Sequence, residues 1–102
     1  MDVTADWCLT CKANKTLVLD HAPVVSALAA ESVTPMQADW TRPDPAISRY
    51  LESFGRYGIP FNAVYGPAAP DGIVLPELLS SDVVMEALSR AAGATGTVVA
   101  RP

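Results

Sequence analysis

A pair of cysteines separated by two residues is the chemical group that stands out in this chain. Cys8 and Cys11 are its only cysteines and form a Trp-Cys-x-x-Cys-Lys motif over residues 7–12. A short apolar run, residues 1–5, precedes the motif, and a helix-compatible run, residues 12–19, follows it. We therefore predict that the cysteines lie where a strand ends and a helix begins. The first amides of a helix are unpaired and carry partial positive charge, so a thiolate is stabilised there.

This placement predicts different roles for the two cysteines. Cys8 is expected at the helix end as the nucleophile, and Cys11, one turn further in, as the more buried partner. Two intervening residues on a helical turn let the two sulfurs meet as a disulfide with little backbone movement. The pair can therefore hold two electrons as a dithiol and release them as a disulfide.

Two other interpretations of Cys-x-x-Cys remain open. A structural zinc site needs four protein ligands, and here there is no third cysteine and His21 is the only histidine. A purely structural disulfide is the second alternative, but so short a loop gains little stability from cross-linking.

Length and composition limit the classes of protein to consider. A chain of 102 residues, half of them hydrophobic, is long enough for one small domain with a core. Its net charge of −4 argues against a nucleic-acid partner, which usually requires a basic surface. No apolar run reaches the roughly 18–20 residues that span a bilayer. We predict a domain over residues 1–92 and a flexible tail over residues 93–102.

The order of predicted elements indicates an α/β fold. Hydrophobic periodicity and turn signals give the order β-α-β-α-β-β-α. The expected strands are 1–5, 32–38, 61–65 and 73–75, with a turn at 66–72. The first expected helix covers residues 8–30 and is broken near Pro23. The second begins at the cap Asp44 and ends at Phe54, and the third begins at a cap at Ser81 or Asp82 and ends at residue 92. We expect the first two strands to be parallel and a hairpin to follow, in a three-layer sandwich with about four strands and helices on both faces.

The motifs and their order resemble the thioredoxin superfamily. The resemblance rests on the Trp-Cys-x-x-Cys-Lys motif and on Gly58-Ile59-Pro60 immediately before a strand. Residues 2–12, 37–41 and 55–60 look most like the C-terminal periplasmic domain of DsbD-family thiol:disulfide interchange proteins. Domains of that family usually begin with a further strand and helix, which this chain is expected to lack.

The resemblance implies roles for individual residues. Asp2 corresponds to a buried acid that exchanges protons with the second cysteine. Pro60 is expected to follow a cis peptide bond and to hold Ile59 extended beside the disulfide, where its backbone pairs with a substrate peptide. Trp7 is expected to cover the active-site face beside Cys8. No metal and no organic cofactor is implied.

The resulting hypothesis is a protein-disulfide reductase or electron relay that uses Cys8 and Cys11. The resemblance implies disulfide-bearing protein partners and a membrane-embedded electron-donor domain of the same full-length protein. It also implies that the chain is a periplasmic domain of an inner-membrane protein, with a cytoplasmic thioredoxin-like protein as the alternative. A peptide-binding or thiol-binding chaperone-like module and a metal-binding Cys-x-x-Cys module remain the competing functions.

Overall fold

The computed structural model describes residues 1–93 and 98–99 of the chain. Short strands and helices alternate along it, as the sequence predicts. In chain order the elements are β1 (Asp2–Thr4), α1 (Leu9–Asn14), a π-helical segment (Lys15–Leu19), α2 (Val24–Leu28), β2 (Val33–Thr34), β3 (Gln37–Asp39), α3 (Pro45–Glu52), β4 (Phe61–Gly66), β5 (Ala69–Val74), α4 (Ser81–Ala92) and β6 (Val98–Val99).

Four of the strands form a mixed sheet in the spatial order β3-β1-β4-β5. Strand β1 is parallel to β3 and antiparallel to β4, and β5 is antiparallel to β4. The parallel first pair and the following hairpin are therefore as predicted. Strand β6 pairs with β4 at one position and with β2, so these two short strands extend the sheet at the carboxyl end of β4.

Helices cover both faces of the sheet, which gives the predicted three layers. Two clusters of buried side chains lie between the layers. The first cluster includes Val18 of the π-helical segment, Val24 of α2, Val64 of β4, Leu75 just after β5, and Val84 of α4. The second includes Val3, Leu51, Phe61 and Ala63, from the sheet and α3. Strand β4 contributes to both clusters because successive residues of a strand point to opposite faces.

Local signals in the sequence account for the ends of α3 and α4. The Asp44 carboxylate accepts hydrogen bonds from the amides of Ala46 and Ile47, and Pro45 occupies the first helical position. Gly55 follows α3 with φ of 71°, a conformation that glycine adopts without steric penalty. Helix α4 is capped by Ser80, one residue earlier than predicted, because the Ser80 hydroxyl accepts from the Val83 amide.

The single helix predicted over residues 8–30 is divided into three parts. After α1, the Asp20 amide donates to the Lys15 carbonyl, a five-residue spacing that defines the π-helical segment. Pro23, which follows a cis peptide bond, then separates this segment from α2. Proline has no amide proton for the helical ladder, so the break near Pro23 has the predicted cause.

Two strand predictions need correction. The predicted strand 32–38 is divided at Pro35 into β2 and β3, since proline cannot donate a ladder hydrogen bond. The predicted turn 66–72 is shorter, because β5 begins at Ala69 and includes Pro70. Strand β5 pairs with β4 on one side, and an edge position of this kind tolerates proline.

The predicted flexible tail of residues 93–102 lies largely outside the described residues. Of this segment the structure describes Gly93, where α4 ends, and the strand β6. The flexibility of the tail stays a prediction. Within the described part of the chain, no helix combines the length and apolar character needed to cross a membrane.

Candidate redox site

The two cysteines meet as predicted at the junction of β1 and α1. Cys8 and Cys11 are joined by a disulfide bond, with 5.2 Å between their Cα atoms. Cys8 is the N-cap of α1 and has an extended backbone, so the helix begins at the next residue. The backbone amide of Cys11 donates a hydrogen bond of 3.1 Å to Cys8 Sγ. The same amide would stabilise a thiolate at Cys8 in the reduced pair, because it supplies a donor and the positive end of the helix.

Burial does not separate the two cysteines in the disulfide form. Cys8 is 6 % exposed and Cys11 is 5 % exposed, whereas the sequence predicts that Cys11 is the more buried. Both pack with Ala5 and the partly buried Ile59 in a small cluster beneath the surface. The difference between the cysteines is therefore positional: Cys8 caps the helix, and Cys11 lies within its first turn.

The segment before β4 brings Ile59 to the disulfide. Ile59 packs against the cysteine cluster although it lies about fifty residues away in the chain. Pro60 is buried, and the Ile59–Pro60 peptide bond is cis. The tertiary fold thus places the predicted residue Ile59 against the two cysteines, with Pro60 next to it in the chain.

Trp7 lies on the surface next to the disulfide. Its side chain is 58 % exposed, and its indole nitrogen donates a hydrogen bond of 3.2 Å to the Thr41 carbonyl. The Trp7 ring packs at a tilt against Trp40, with 6.5 Å between the ring centroids. The ring is therefore held at one edge while much of its face stays open to solvent.

The loop after β3 holds the loop before the cysteines, a contact that the sequence did not predict. The Thr41 hydroxyl accepts a hydrogen bond of 2.9 Å from the Asp6 amide. Thr41 in turn donates to the Asp39 carboxylate through both its amide and its hydroxyl. These two hydrogen bonds lower the pKa of Asp39, which stays ionised as an anchor. The spacing Asp39-Trp40-Thr41 was the available signal, since aspartate commonly accepts hydrogen bonds from the residue two positions on.

Comparison with known proteins agrees with this geometry. A family profile described as thioredoxin-like matches residues 1–67, which contain both cysteines and the Ile59–Pro60 segment. The chain belongs to the thioredoxin-like family. Searches among curated proteins and among solved structures returned no match. A Cys-x-x-Cys pair at disulfide distance in a thioredoxin-like domain supports thiol–disulfide redox chemistry in general.

Asp2 lies in the middle of the sheet of this thioredoxin-like domain. It pairs with Gln37 on β3 and with Asn62 on β4, so it occupies the central strand β1. Its neighbour Val3 points to the α3 side, and Asp2 therefore faces the layer that contains α1 and α4. Burial raises the pKa of the Asp2 carboxyl above its ordinary value of 3.8, while the amino group of Met1 and the ammonium of Lys15 act in the opposite direction.

Asn14 positions the helix that carries the cysteines, and the sequence did not single it out. It is 4 % exposed and lies one turn after Cys11. Its amide nitrogen donates to the Glu77 carbonyl at 2.8 Å, and its amide oxygen accepts from the Leu79 amide at 3.1 Å. Both carboxamide ends thus bind the loop between β5 and α4.

Within residues 1–93 and 98–99, no group of three or more His, Cys, Asp or Glu side chains is arranged to hold a metal ion. His21 is exposed at the end of the π-helical segment.

Proposed function

We propose that this chain is a thiol:disulfide oxidoreductase that reduces disulfide bonds in partner proteins. The observation that carries the proposal is the position of Cys8. Its sulfur caps a helix, accepts the Cys11 amide and lies at bonding distance from the Cys11 sulfur. A helix terminus of this kind favours the thiolate, which is the nucleophile of disulfide exchange.

The proposed reaction has two steps. In the first, the Cys8 thiolate attacks a sulfur of the partner disulfide, which breaks that bond and forms a mixed disulfide with one partner sulfur while the other leaves as a thiolate. In the second, Cys11 loses its proton and attacks Cys8 Sγ, so the Cys8–Cys11 disulfide forms and the second partner thiolate is released. The domain loses two electrons and the partner gains them.

Asp2 is the proposed proton acceptor for Cys11 in the second step. It faces the layer of the fold that contains α1, and burial keeps its pKa above the ordinary carboxyl value. A carboxyl group with a raised pKa exchanges protons closer to neutral pH than an exposed aspartate does.

The surface around the disulfide is proposed to receive the partner. Trp7, Leu9 and Tyr57 are exposed by 58 %, 80 % and 78 %, and all three lie close in sequence to Cys8 or to the Ile59–Pro60 segment. An apolar surface of this kind suits an extended peptide of a protein partner, and the Ile59 backbone is proposed to pair with it as an added strand.

We further propose that the domain acts as an electron relay in the periplasm, as the C-terminal domain of DsbD-family proteins does. The support is the resemblance of residues 2–12 to that family. The electron donor would then be a membrane-embedded domain of the same full-length protein. Leu9 and Thr10 lie between the cysteines and influence the redox potential of the pair. Because that potential decides whether the domain gives or takes electrons, its measurement gives the direction of electron flow.

Three measurements on the full chain test the proposal. The wild-type protein should reduce a disulfide-bonded peptide, and Cys8→Ser should lower that rate at least about a thousandfold. Cys11→Ser should instead accumulate a mixed disulfide with the peptide. The reduction potential of the pair should be more negative than about −180 mV, the value for protein disulfide isomerase, if the domain acts as a reductant.

Alkylation separates the roles of the two cysteines. In the reduced protein near neutral pH, iodoacetamide should label Cys8 well before Cys11, as mapped by mass spectrometry. Equal labelling of the two residues would contradict the assignment of Cys8 as the nucleophile.

The exposed apolar surface also favours a second candidate, a peptide-binding module in which redox turnover is incidental. Peptide affinity and peptide reduction should be measured on the same Cys8→Ser protein. A chain that binds reduced peptides as tightly as oxidised ones, and that shows no turnover even as wild type, would support the binding module instead.

A further inference from the structure

A row of three polar side chains crosses the sheet beside an internal cavity. Gln37, Asp2 and Asn62 lie directly opposite one another on β3, β1 and β4. Residues opposite each other on paired strands share a face of the sheet, so the Asp2 carboxyl lies between two carboxamides. All three residues line a cavity of about 200 Å³ between the sheet and the layer of α2 and α4.

The pairing of Asp2 with Asn62 is the close kind found in antiparallel strands. In the adjacent pair, Met1 and Ala63 exchange both of their backbone hydrogen bonds. The next pair along, Asp2 and Asn62, is therefore of the non-hydrogen-bonded type, in which side chains approach most closely. Their Cβ atoms are about 4.5–5.5 Å apart in such pairs, a separation that one water molecule can bridge.

Asn62 differs from the other buried asparagine in the use of its side chain. Asn14 is hydrogen-bonded at both ends of its carboxamide. Asn62 is 6 % exposed and lines the cavity. Among residues 1–93 the buried side-chain polar atom without a hydrogen-bond partner is Trp40 Nε1, so the Asn62 carboxamide is not stranded, and it can take water in the cavity as a partner. The cavity is the space into which such a partner fits.

The cavity connects this polar row with the surface. Its inner wall includes the buried side chains of Val64 and Val84. At the other end it is lined by Pro35, Met36 and Gln37, which are exposed. Water enters a cavity where there is room and where two or more polar groups bind it, and the row supplies those groups.

We propose that Asn62, with Gln37, positions the water that carries the proton between the Asp2 carboxyl and solvent. This rests on the proposed function, in which Asp2 accepts the Cys11 proton. The Cys11 S–H bond breaks, the proton moves to an Asp2 oxygen, and the thiolate displaces the partner sulfur from Cys8. The proton on Asp2 then passes to water that Asn62 and Gln37 hold against the carboxyl, and leaves at the cavity mouth on the Gln37 side. Asn62 touches none of the reacting sulfurs and is a positioning residue.

The charged groups near Asp2 do not provide this route. The amino group of Met1 is hydrogen-bonded to the Ala63 carbonyl, and burial lowers its pKa to about 5, so it is largely neutral at pH 7. Lys15 is more than half exposed and is paired with Asp20 at 2.6 Å. The side chains of α2 and α4 that line the cavity are apolar.

The test uses oxidised glutathione as partner and the reduced full chain. Rapid mixing separates release of the first glutathione, which follows attack by Cys8, from release of the second, which follows attack by Cys11. Asn62→Leu should slow the second phase about tenfold and raise its pH midpoint, since proton transfer by a positioned group contributes about 10²–10⁴ in rate. The first phase should change by less than about twofold, because it does not require proton transfer to Asp2.

Matched variants separate positioning from a loss of structure. Asn62→Ser keeps a group that binds water and should recover most of the second-phase rate. Leu28→Ala changes the apolar wall of the same cavity and should leave the pH midpoint unchanged. In the Asp2→Asn background, Asn62→Leu should have no further effect, because the two residues act on one proton. If Asn62→Leu does not fold, Asn62→Ala gives the same comparison without overpacking.

The outcomes distinguish this proposal from the proposed function. A wild-type second-phase rate and pH midpoint in Asn62→Leu would overturn the role of Asn62 alone. If Asn62→Leu slowed the second phase equally in the wild-type and Asp2→Asn backgrounds, the role of Asn62 would also be overturned. An Asp2→Asn variant as fast as wild type would overturn the role of Asp2 together with that of Asn62. Absence of both glutathione phases in the wild type would overturn the proposed function itself.

Discussion

The two faces of the sheet differ in both composition and packing. On the α3 face, the rings of Tyr50, Phe54 and Phe61 pack with centroids 5.2–5.6 Å apart, and the Tyr50 and Tyr65 hydroxyls are hydrogen-bonded at 2.6 Å. On the opposite face the buried side chains are mostly aliphatic, and a cavity of about 200 Å³ opens beside their contact with the helices.

The polar groups follow the same division. Asp2 and Asn62 face the aliphatic side, and Asn14 lies on the cysteine-bearing helix that packs there. The α3 face contributes its buried area to stability, because aromatic side chains bury large surfaces. The aliphatic face retains space and polar groups, which the proposed proton transfer requires and a densely packed core excludes. The two faces of one sheet therefore differ in how tightly they are packed.

The largest expected effect tests the aromatic face. Phe61→Ala should lower the free energy of unfolding by about 3–5 kcal/mol, because Phe61 is 1 % exposed and the surrounding rings cannot fill the space. Urea denaturation of the oxidised protein measures this. At urea concentrations where the variant remains folded, Cys8 should be alkylated at the wild-type rate after reduction.

Tyr57→Ala, which removes an exposed ring, is the control and should change the free energy of unfolding by less than about 0.5 kcal/mol. A loss below about 1 kcal/mol in Phe61→Ala would show that the faces do not differ in this way.

The next largest expected change in the free energy of unfolding tests the hydrogen bonds of Asn14. Asn14→Ala should lower the free energy of unfolding by about 2 kcal/mol, since the Glu77 carbonyl and the Leu79 amide lose their partner. Because Asn14 lies one turn after Cys11, the variant should also slow the Cys11 step of disulfide exchange. Lys12→Ala, at an exposed position of the same helix, is the control. Equal stability of the two variants would mean that these hydrogen bonds contribute little.

The smallest expected change in the free energy of unfolding is an increase, and it concerns Asp2. Asp2→Asn should raise the free energy of unfolding at pH 7 by about 1 kcal/mol, because it removes a carboxylate whose partial burial disfavours the charged form. The folded-state pKa of Asp2 is raised, so the folded protein binds the proton more tightly than the unfolded chain does. Wild-type stability therefore falls as pH rises above the ordinary value of 3.8 through the folded-state pKa.

The gain in Asp2→Asn should consequently be present at pH 7 and vanish as pH falls toward 3.8. The amino group of Met1, with its pKa lowered to about 5, contributes in the opposite direction. For this reason the quantity to measure is the difference between variant and wild type at each pH. Glu31→Gln removes an exposed carboxylate and serves as the control for net charge. A difference that does not change with pH would contradict a raised pKa of Asp2 in the folded protein.

The local features of the fold were predictable from short stretches of sequence. The N-cap Asp44 with Pro45 indicated the start of α3, and the apolar run before Cys8 indicated the strand-to-helix junction at the cysteines. These predictions succeeded because capping and hydrophobic periodicity depend on neighbours in the chain. The sequence predicted one strand over residues 32–38, which the structure divides at Pro35, and a second hairpin strand over residues 73–75, which the structure extends back to Ala69. These limits were wrong because the length of a strand depends on the partner strand.

The sequence by itself determined the chemistry: a lone Cys-x-x-Cys pair at a helix terminus, in a thioredoxin-like domain, points to disulfide exchange. The sequence also pointed to Ile59 and Asp2 through the family resemblance, and the tertiary structure decided how these distant residues are arranged. It placed Ile59 against the cysteines, tied the loop of Asp6 and Trp7 to Thr41, and set Asp2 between Gln37 and Asn62. The physical reason is that strand register sets these contacts, and register depends on how whole faces of the sheet are buried rather than on any one residue.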